Sequence, residues 1–401
     1  MRKLTHTRSI FDVAGNFFII LCCFFIPFST SLMGATAILA ACCWILSGRV
    51  FSLPRLMMDN KLVFLAIALF LLLAAGLLYT PVPLSEALSI LKKYRELIYF
   101  AMVVSFMTDN ENAAKLAEDS FVLGCVVLLL ISYGIFFSII PSERYGHSVV
   151  YHITHNFFMA ILAFWCLQRA FASRQYAYLW LVLFIATTIN LFYIAPGRTG
   201  MLVYVALVLL TFFQHLSFKK SILATFFISL IIGIAFATST NFSTRVQEAI
   251  EEIKNYQAAS SRTSLGMRFD WWLNSLELIG QKPIFGHGTG SFEAAQAALI
   301  QNTETKPTDN PHNEYLLIAV QTGLVGLALW LALLGAQFII TFRFQPPKKF
   351  LLQGVVVAMA GGCLMNSFLL DSHQGHFYAI ISAIFCIQAK KGGQLVMGRQ
   401  L

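Results

Sequence analysis

The chain runs again and again through apolar blocks long enough to cross a bilayer, and this limits its fold more than any single motif does. A crossing helix needs about 20 apolar residues, and about twelve blocks approach that length. They lie near 11–28, 31–47, 62–80, 88–107, 120–140, 153–169, 177–195, 200–216, 220–238, 314–341, 350–370 and 375–389. The second and twelfth are short, and an amphipathic turn, Leu84 to Tyr94, precedes the core of the fourth. A membrane barrel would show short alternating strands instead. Only 12% of residues are charged, with a mean hydropathy of +0.71, against roughly 25% charged in soluble domains. The expected fold class is an all-α polytopic integral membrane protein of about twelve transmembrane helices. Arg2, Lys3 and Arg8 before the apolar run from Phe11 look like a signal peptide, but the run is long and further spans follow at once. It is expected to be a retained first helix.

Charge places the loops. With the N-terminus inside, the inner side receives Arg2, Lys3, Arg8, Arg49, Arg55, Lys61, Lys115, Arg169, Arg174, Lys219, Lys220, Arg343, Lys348, Lys349, Lys390, Lys391 and Arg399. The short loops on the other side are nearly free of positive charge, apart from Lys92, Lys93 and Arg95 together and Arg144 and Arg198 singly. This is the positive-inside pattern, and it accounts for the net charge of +9. Nucleic-acid binding would need a large basic soluble segment, which the sequence lacks. The eight cysteines all fall in apolar segments, none in a CxxC pair, and read as small core or lipid-facing residues.

One polar excursion interrupts the pattern. The chain divides into 1–238, nine spans; 239–312, a large loop expected outside, in the periplasm of a bacterium with two membranes; and 313–401, three spans and a cytoplasmic tail. Thr244 with Gln247 fits a capping box opening a charged helix, and a second helix fits Leu265 to Ile279 with a greasy face suited to a membrane surface. The turn Gly286-His287-Gly288-Thr289-Gly290-Ser291 is no P-loop, since no Lys follows. It reads as a tight turn into a helix near Phe292 to Ile300.

The outer loops hold the residues suited to chemistry. Arg198, in Ala195-Pro196-Gly197-Arg198-Thr199-Gly200, sits where Pro and Gly break the helix, and a guanidinium fork grips phosphate oxygens two at a time. The alternative is an arginine anchoring a helix end at the interface. Arg268, near the start of the second loop helix, combines a cation with free amides; its alternative is pairing with Asp270 or Glu277. Lys92, Lys93 and Arg95 serve either lipid headgroups or a second half of an anion site. His312, flanked by Asn310, Asn313 and Glu314, suits a general base for a hydroxyl, or a structural role. Asp371 reads as the partner of a buried cation. His152, His155, His312, His373 and His376 lack HExxH spacing and any outside cysteine, so no metal is expected.

These residues resemble a family. Gly197-Arg198-Thr199, Ser264-Leu265-Gly266-Met267-Arg268 and His312-Asn313-Glu314, in this order and topology, are similar to the O-antigen ligase family of Gram-negative inner membranes, which includes related polymerases and protein-glycosylating ligases. Weaker likenesses are Asn156 after His155 and the turn Phe285 to Phe292. The resemblance implies a GT-C-like glycosyltransferase architecture in the bacterial inner membrane with its site facing the periplasm. It implies an undecaprenyl-diphosphate-linked O-antigen donor, a lipid A–core acceptor, no cofactor, and inverting, metal-independent transfer. Arg198 and Arg268 would hold the diphosphate and His312 would act as base, with Lys93, Arg95, Asn156 and Asp371 as further substrate-binding candidates. The alternatives are an O-antigen polymerase, a protein O-oligosaccharyltransferase and, from another class, a lipid-linked sugar transporter. A transporter would carry charges deep in its spans.

Overall fold

The computed structural model describes residues 2–108, 110–141, 145–173, 175–195, 197–258, 262–301, 303 and 305–387. Arg144, Arg174, Pro196, Lys390, Lys391 and Arg399, and the side chains of Arg2, Lys3 and Arg8, lie outside the described residues. All regular elements among the described residues are helical. The first half runs α1 (Arg2–Phe25), α2 (Thr30–Leu46), α3 (Leu53–Asp59), α4 (Lys61–Ala75), α5 (Leu84–Lys93), α6 (Glu96–Met107), α7 (Glu111–Phe136), α8 (His152–Ala172) and α9 (Ala177–Ile189). A π-helical turn, Asn190–Ile194, leads to α10 (Arg198–His215) and α11 (Phe218–Thr238). The excursion forms α12 (Thr240–Lys254), α13 (Ser264–Gln281) and α14 (Phe292–Leu299), and α15 (Glu314–Ile340), α16 (Lys348–Gly362) and α17 (Ser372–Cys386) follow.

Six helices among the described residues are long and apolar enough to cross a membrane, or seven if α2 and the helical stretch Arg49–Asp59, bent by 74°, are one span. That is the extent to which the length criterion supports the expected twelve. The remaining expected crossings fall on shorter or more polar helices. α8 is buried without a break from Thr154 to Gln168, and α17 from His373 to Cys386. A helix buried all round belongs to the inside of a bundle. Phe121 of α7, Phe157 and Phe158 of α8, Phe368 before α17 and Phe377 within it form edge-on or tilted ring contacts there, with centroids 4.9–6.0 Å apart. The expected fourth span is broken: α5 stops at Lys93, α6 starts at Glu96, and Tyr94 is fully buried at the junction.

α15 carries a second break. Gly323 has φ 68° and ψ −168°, outside helical values, which a residue without Cβ tolerates. The excursion fills the gap. The amides of His287 and Gly288 donate to the carbonyls of Val320 and Gln321 at 2.8 and 2.9 Å, and Leu324 donates to the Pro283 carbonyl at 2.8 Å. Backbone groups freed inside a bundle need such partners. The glycine turn is therefore used up by packing. A Cβ on Gly286 would stand 2.5 Å from the Val320 carbonyl, and one on Gly288 the same distance from Thr80 Cα.

Loop-helix boundaries follow caps. α13 begins within a residue of expectation because Thr263 Oγ1 accepts the Gly266 amide at 3.2 Å. α12 begins at Thr240, earlier than the expected Thr244, because Ser239 Oγ already accepts the Phe242 amide at 3.2 Å. Thr244 thus lies inside the helix and caps nothing.

Candidate active site

Arg198 is the first residue of α10, and close packing fixes it there. A Cβ on Gly200 would lie 2.3 Å from Asn156 Cβ and 2.6 Å from its carbonyl carbon, so only glycine lets α10 cross α8 at this depth. The glycines near Arg198 thus approach Asn156 closely. Asn156 is fully buried, its Nδ2 donating to the His152 carbonyl at 2.9 Å while its Oδ1 is buried with no hydrogen-bond partner among the described residues. On the other flank the π-helical turn is braced by a polar chain: Asn190 Oδ1 accepts from His155 Nε2 at 2.8 Å, and Asn190 Nδ2 donates to Ser132 Oγ at 2.8 Å. π-helical insertions often sit at functional sites.

The Arg198 guanidinium meets two carboxylates of α12. Its Nη2 lies 3.0 Å from Glu252 Oε1 and 3.3 Å from Glu248 Oε2. Arg245 Nη1 reaches the same Glu248 oxygen at 3.2 Å. The other Glu252 oxygen accepts the amide of Leu265, at the start of α13, at 2.7 Å. A carboxylate here bridges an arginine and a helix N-terminus, the donor set that suits anions.

Arg268 follows one turn into α13. Burial, and next the positive charge of Arg198, hold its pKa below the ordinary value, with Tyr151 and Glu252 opposing. Asp270 accepts from the Tyr256 hydroxyl at 2.8 Å, and among the described residues no ion pair forms with Arg268. Arg268 is thus a half-buried cation beside another.

His312 completes the group from a third segment. It has φ 53°, the left-handed region, where a bulky residue costs about 1–3 kcal/mol and persists only when its surroundings enforce it. Here they do. The His312 amide donates to Asn310 Oδ1 at 2.8 Å, and Ser367 Oγ donates to the same oxygen at 2.7 Å. Trp272 Nε1 donates to the Pro311 carbonyl at 2.9 Å, and Trp271 Nε1 to the Lys306 carbonyl at 2.8 Å. The Trp271 ring lies 5.5 Å from the imidazole, tilted by 35°. Burial, and then the charge of Arg268, lower the imidazole pKa to about 4, with Asp309 opposing. The ring is neutral at neutral pH and has a free base form. Glu314 does not orient it: its carboxylate accepts the Tyr94 hydroxyl at 3.1 Å and the Leu369 and Leu370 amides at 2.9 and 3.1 Å.

The turn at 363–371 ties these segments together. Asn366 Nδ2 donates to Thr199 Oγ1 at 3.0 Å beside Arg198, Ser367 supports Asn310, and Glu314 holds the amides that follow. Asp371 ends this turn. Burial pushes its carboxyl up to about 6, and Lys93 opposes the rise, so Lys93 and Asp371 are neighbours. Arg95 Nη1 donates to the Lys92 carbonyl at 2.8 Å. The charges that shift Arg268 and His312 are those of Arg198, Tyr151, Glu252, Arg268 and Asp309. Lys93 and Arg95 are not among them.

Two cavities flank the π-helical turn. One, of about 400 Å³, is lined by Tyr145, His147, His152, Ile194, Thr244, Arg245 and Glu248. The other, of about 390 Å³, is apolar and is lined by Phe184, Phe192, Tyr193, Tyr204, Phe212 and Ile232 among others. The first opens onto charge and the second onto greasy side chains, and residues 192 to 195 of one short stretch divide them.

Glu248, Glu252, Trp272, Asn366 and Ser367 escaped the reading of the sequence, and Trp271 entered it only as part of the greasy face of α13. The signal for the glutamates was present: 248 and 252 share one face of α12 at i, i+4 spacing.

Comparison with known proteins covers part of this region. A protein of Haemophilus influenzae described as uncharacterized is 30% identical over 192 residues, 46% of this chain and 47% of that protein. The chain thus spans about half the length of the curated relative it matches. Residues 181–331 match the Wzy_C family model, described as O-Antigen ligase. The matched stretch holds Arg198, Glu248, Glu252, Arg268 and His312, and excludes Lys93, Arg95, Asn156 and Asp371. Over residues 181–331 the chain is therefore similar to the O-antigen ligase family.

Proposed function

We propose that this membrane protein is an O-antigen ligase, which moves an O-antigen polysaccharide from undecaprenyl diphosphate to a sugar hydroxyl of the lipid A–core on the periplasmic side of the inner membrane. The observation that carries the reading is that contacts link Arg198 through Glu252 to the start of the helix that bears Arg268, and that helix through Trp271 to His312. The family match supports the ligase and polymerase superfamily.

In the proposed reaction His312 takes the proton of the acceptor hydroxyl as its oxygen attacks the anomeric carbon. The bond from that carbon to the phosphate oxygen breaks, and its electron pair leaves on the diphosphate. One displacement inverts the anomeric centre. Arg198 and Arg268 neutralise the charge that develops on the leaving oxygen, where preorganised cations contribute most. An imidazole of pKa about 4 is a weak base. A bound diphosphate would offset the Arg268 charge that depresses it, so donor binding strengthens the base. The apolar cavity suits the first isoprenoid units of the donor, and the charged cavity across the same turn is lined by Arg245 and Glu248, of which Glu248 contacts Arg198. The apolar cavity lies within the ~300–1,000 Å³ range of small-ligand sites. Lys93 and Asp371 interact apart from this group and suit the acceptor in this reading, while Arg95 lies beside Glu96.

A deletion strain tests the assignment. Loss of a ligase leaves bare core lipopolysaccharide while long lipid-linked chains accumulate. Core carrying a single repeat instead marks a polymerase and overturns the ligase reading.

A further inference from the structure

Resting on that reading of the site, we propose that Glu252 is an internal stand-in for the donor's phosphate, and that the need to displace it selects a diphosphate over singly charged head groups. The geometry is that of a filled anion site. One Glu252 oxygen is 3.0 Å from Arg198 Nη2, the other takes the Leu265 amide at 2.7 Å, and the side chain is only 14% exposed. Both contacts are ones a phosphate oxygen would make. Glu248 shares Arg198 and is itself shared with Arg245.

Charge matching extends the argument. Arg198, Arg245 and Arg268 face Glu248 and Glu252, three cations against two carboxylates. A diphosphate diester carries two negative charges, the same as the pair it would replace, and has enough oxygens to reach more than one arginine. A phosphodiester carries one charge and cannot restore the balance. A tethered carboxylate competes at high effective concentration, so weak anions are held off while the site is empty. Displacement needs only a side-chain rotation, since Glu252 lies on a helix face. Burial raises the Glu252 pKa, but the hydrogen bonds from Arg198 and Leu265 and the charges of Arg198 and Arg245 lower it further, so it is ionised in place.

The test uses the full chain in nanodiscs, with the P2-methyl ester of farnesyl diphosphate (a two-charge diphosphate diester like the donor, hereafter farnesyl diphosphate) and farnesyl methyl phosphate as probes, read by calorimetry. Glu252→Gln keeps size and an acceptor for the Leu265 amide but removes the charge. Displacing a charge-assisted bond sets a roughly ten- to hundredfold gain in farnesyl diphosphate affinity for this variant. Farnesyl methyl phosphate gains more, so the preference for diphosphate narrows. Glu248→Gln, lacking a helix amide to release, gains less. Equal or weaker farnesyl diphosphate binding by folded Glu252→Gln overturns the stand-in, as does an unchanged preference between the probes. Arg198→Ala separates the two levels: if it binds farnesyl diphosphate as well as the wild type, the reading of the site itself fails.

Discussion

His312 is where physical chemistry constrains the account most tightly. Removing its imidazole takes away the general base, so His312→Ala is expected to cut turnover by about 10²–10⁴-fold while farnesyl diphosphate still binds; equal loss of both would mark a structural residue. The pH profile gives a sharper check. The base works when neutral, so activity is lost as pH falls through its pKa. Burial and Arg268 hold that pKa to about 4, below the usual 6.5. In Arg268→Gln the depressing charge is gone, so the acid limb of kcat/KM for the donor moves to higher pH. A limb that stays put or moves down would separate the two residues. Arg198, Arg268 and His312 were legible in the sequence because each is a chemically costly residue beside a helix break or start. For Glu252 the i, i+4 spacing with Glu248 marks a shared helix face, but not the partner, because the contact with Arg198 spans 54 positions.

Among the elements, α13 does two jobs with one surface. It presents Arg268 to Arg198, and its tryptophans fasten the strained 306–312 loop. Trp272→Phe deletes the bond to the Pro311 carbonyl, worth about 1 kcal/mol. It is expected to lower kcat with little change in donor KM, which steady-state kinetics would show. The α8–α10 crossing makes a different demand. Gly200→Ala places a Cβ 2.3 Å from Asn156 Cβ and also against its backbone, so it is expected to cost about 1–3 kcal/mol. Trimming Asn156 to alanine would not restore the melting temperature, because the backbone contact remains. The start of α13 was read to within a residue from its greasy face, whereas the capping box read at Thr244 set the start of α12 too late. The break at Tyr94 was foreshadowed by the amphipathic turn Leu84 to Tyr94, but that at Gly323 was not, because an apolar run looks the same whether continuous or interrupted, and its partners are supplied by residues 283–288.

For the whole molecule, hydrophobic blocks revealed a helical bundle but not which blocks are long spans and which are short buried helices. Burial decides that, and α8 and α17 owe theirs to neighbours distant in sequence. The proposed sidedness rests on loop charge. A cysteine replacing Thr303, in the excursion, is expected to react with an impermeant maleimide from the outer side of intact spheroplasts, and one replacing Lys219 is not; the reverse pattern would invert the topology. The central claim is that Arg198, Arg268 and His312 form one transferase site, and reconstituted transfer tests it most directly. The purified chain in nanodiscs is given undecaprenyl-diphosphate-linked glycan and core lipopolysaccharide, and glycosylated core is measured beside released undecaprenyl diphosphate. The account predicts equal amounts of the two products from the wild type, and losses of at least about a hundredfold in His312→Ala and Arg268→Ala. Transfer at the wild-type rate by either folded variant would contradict it.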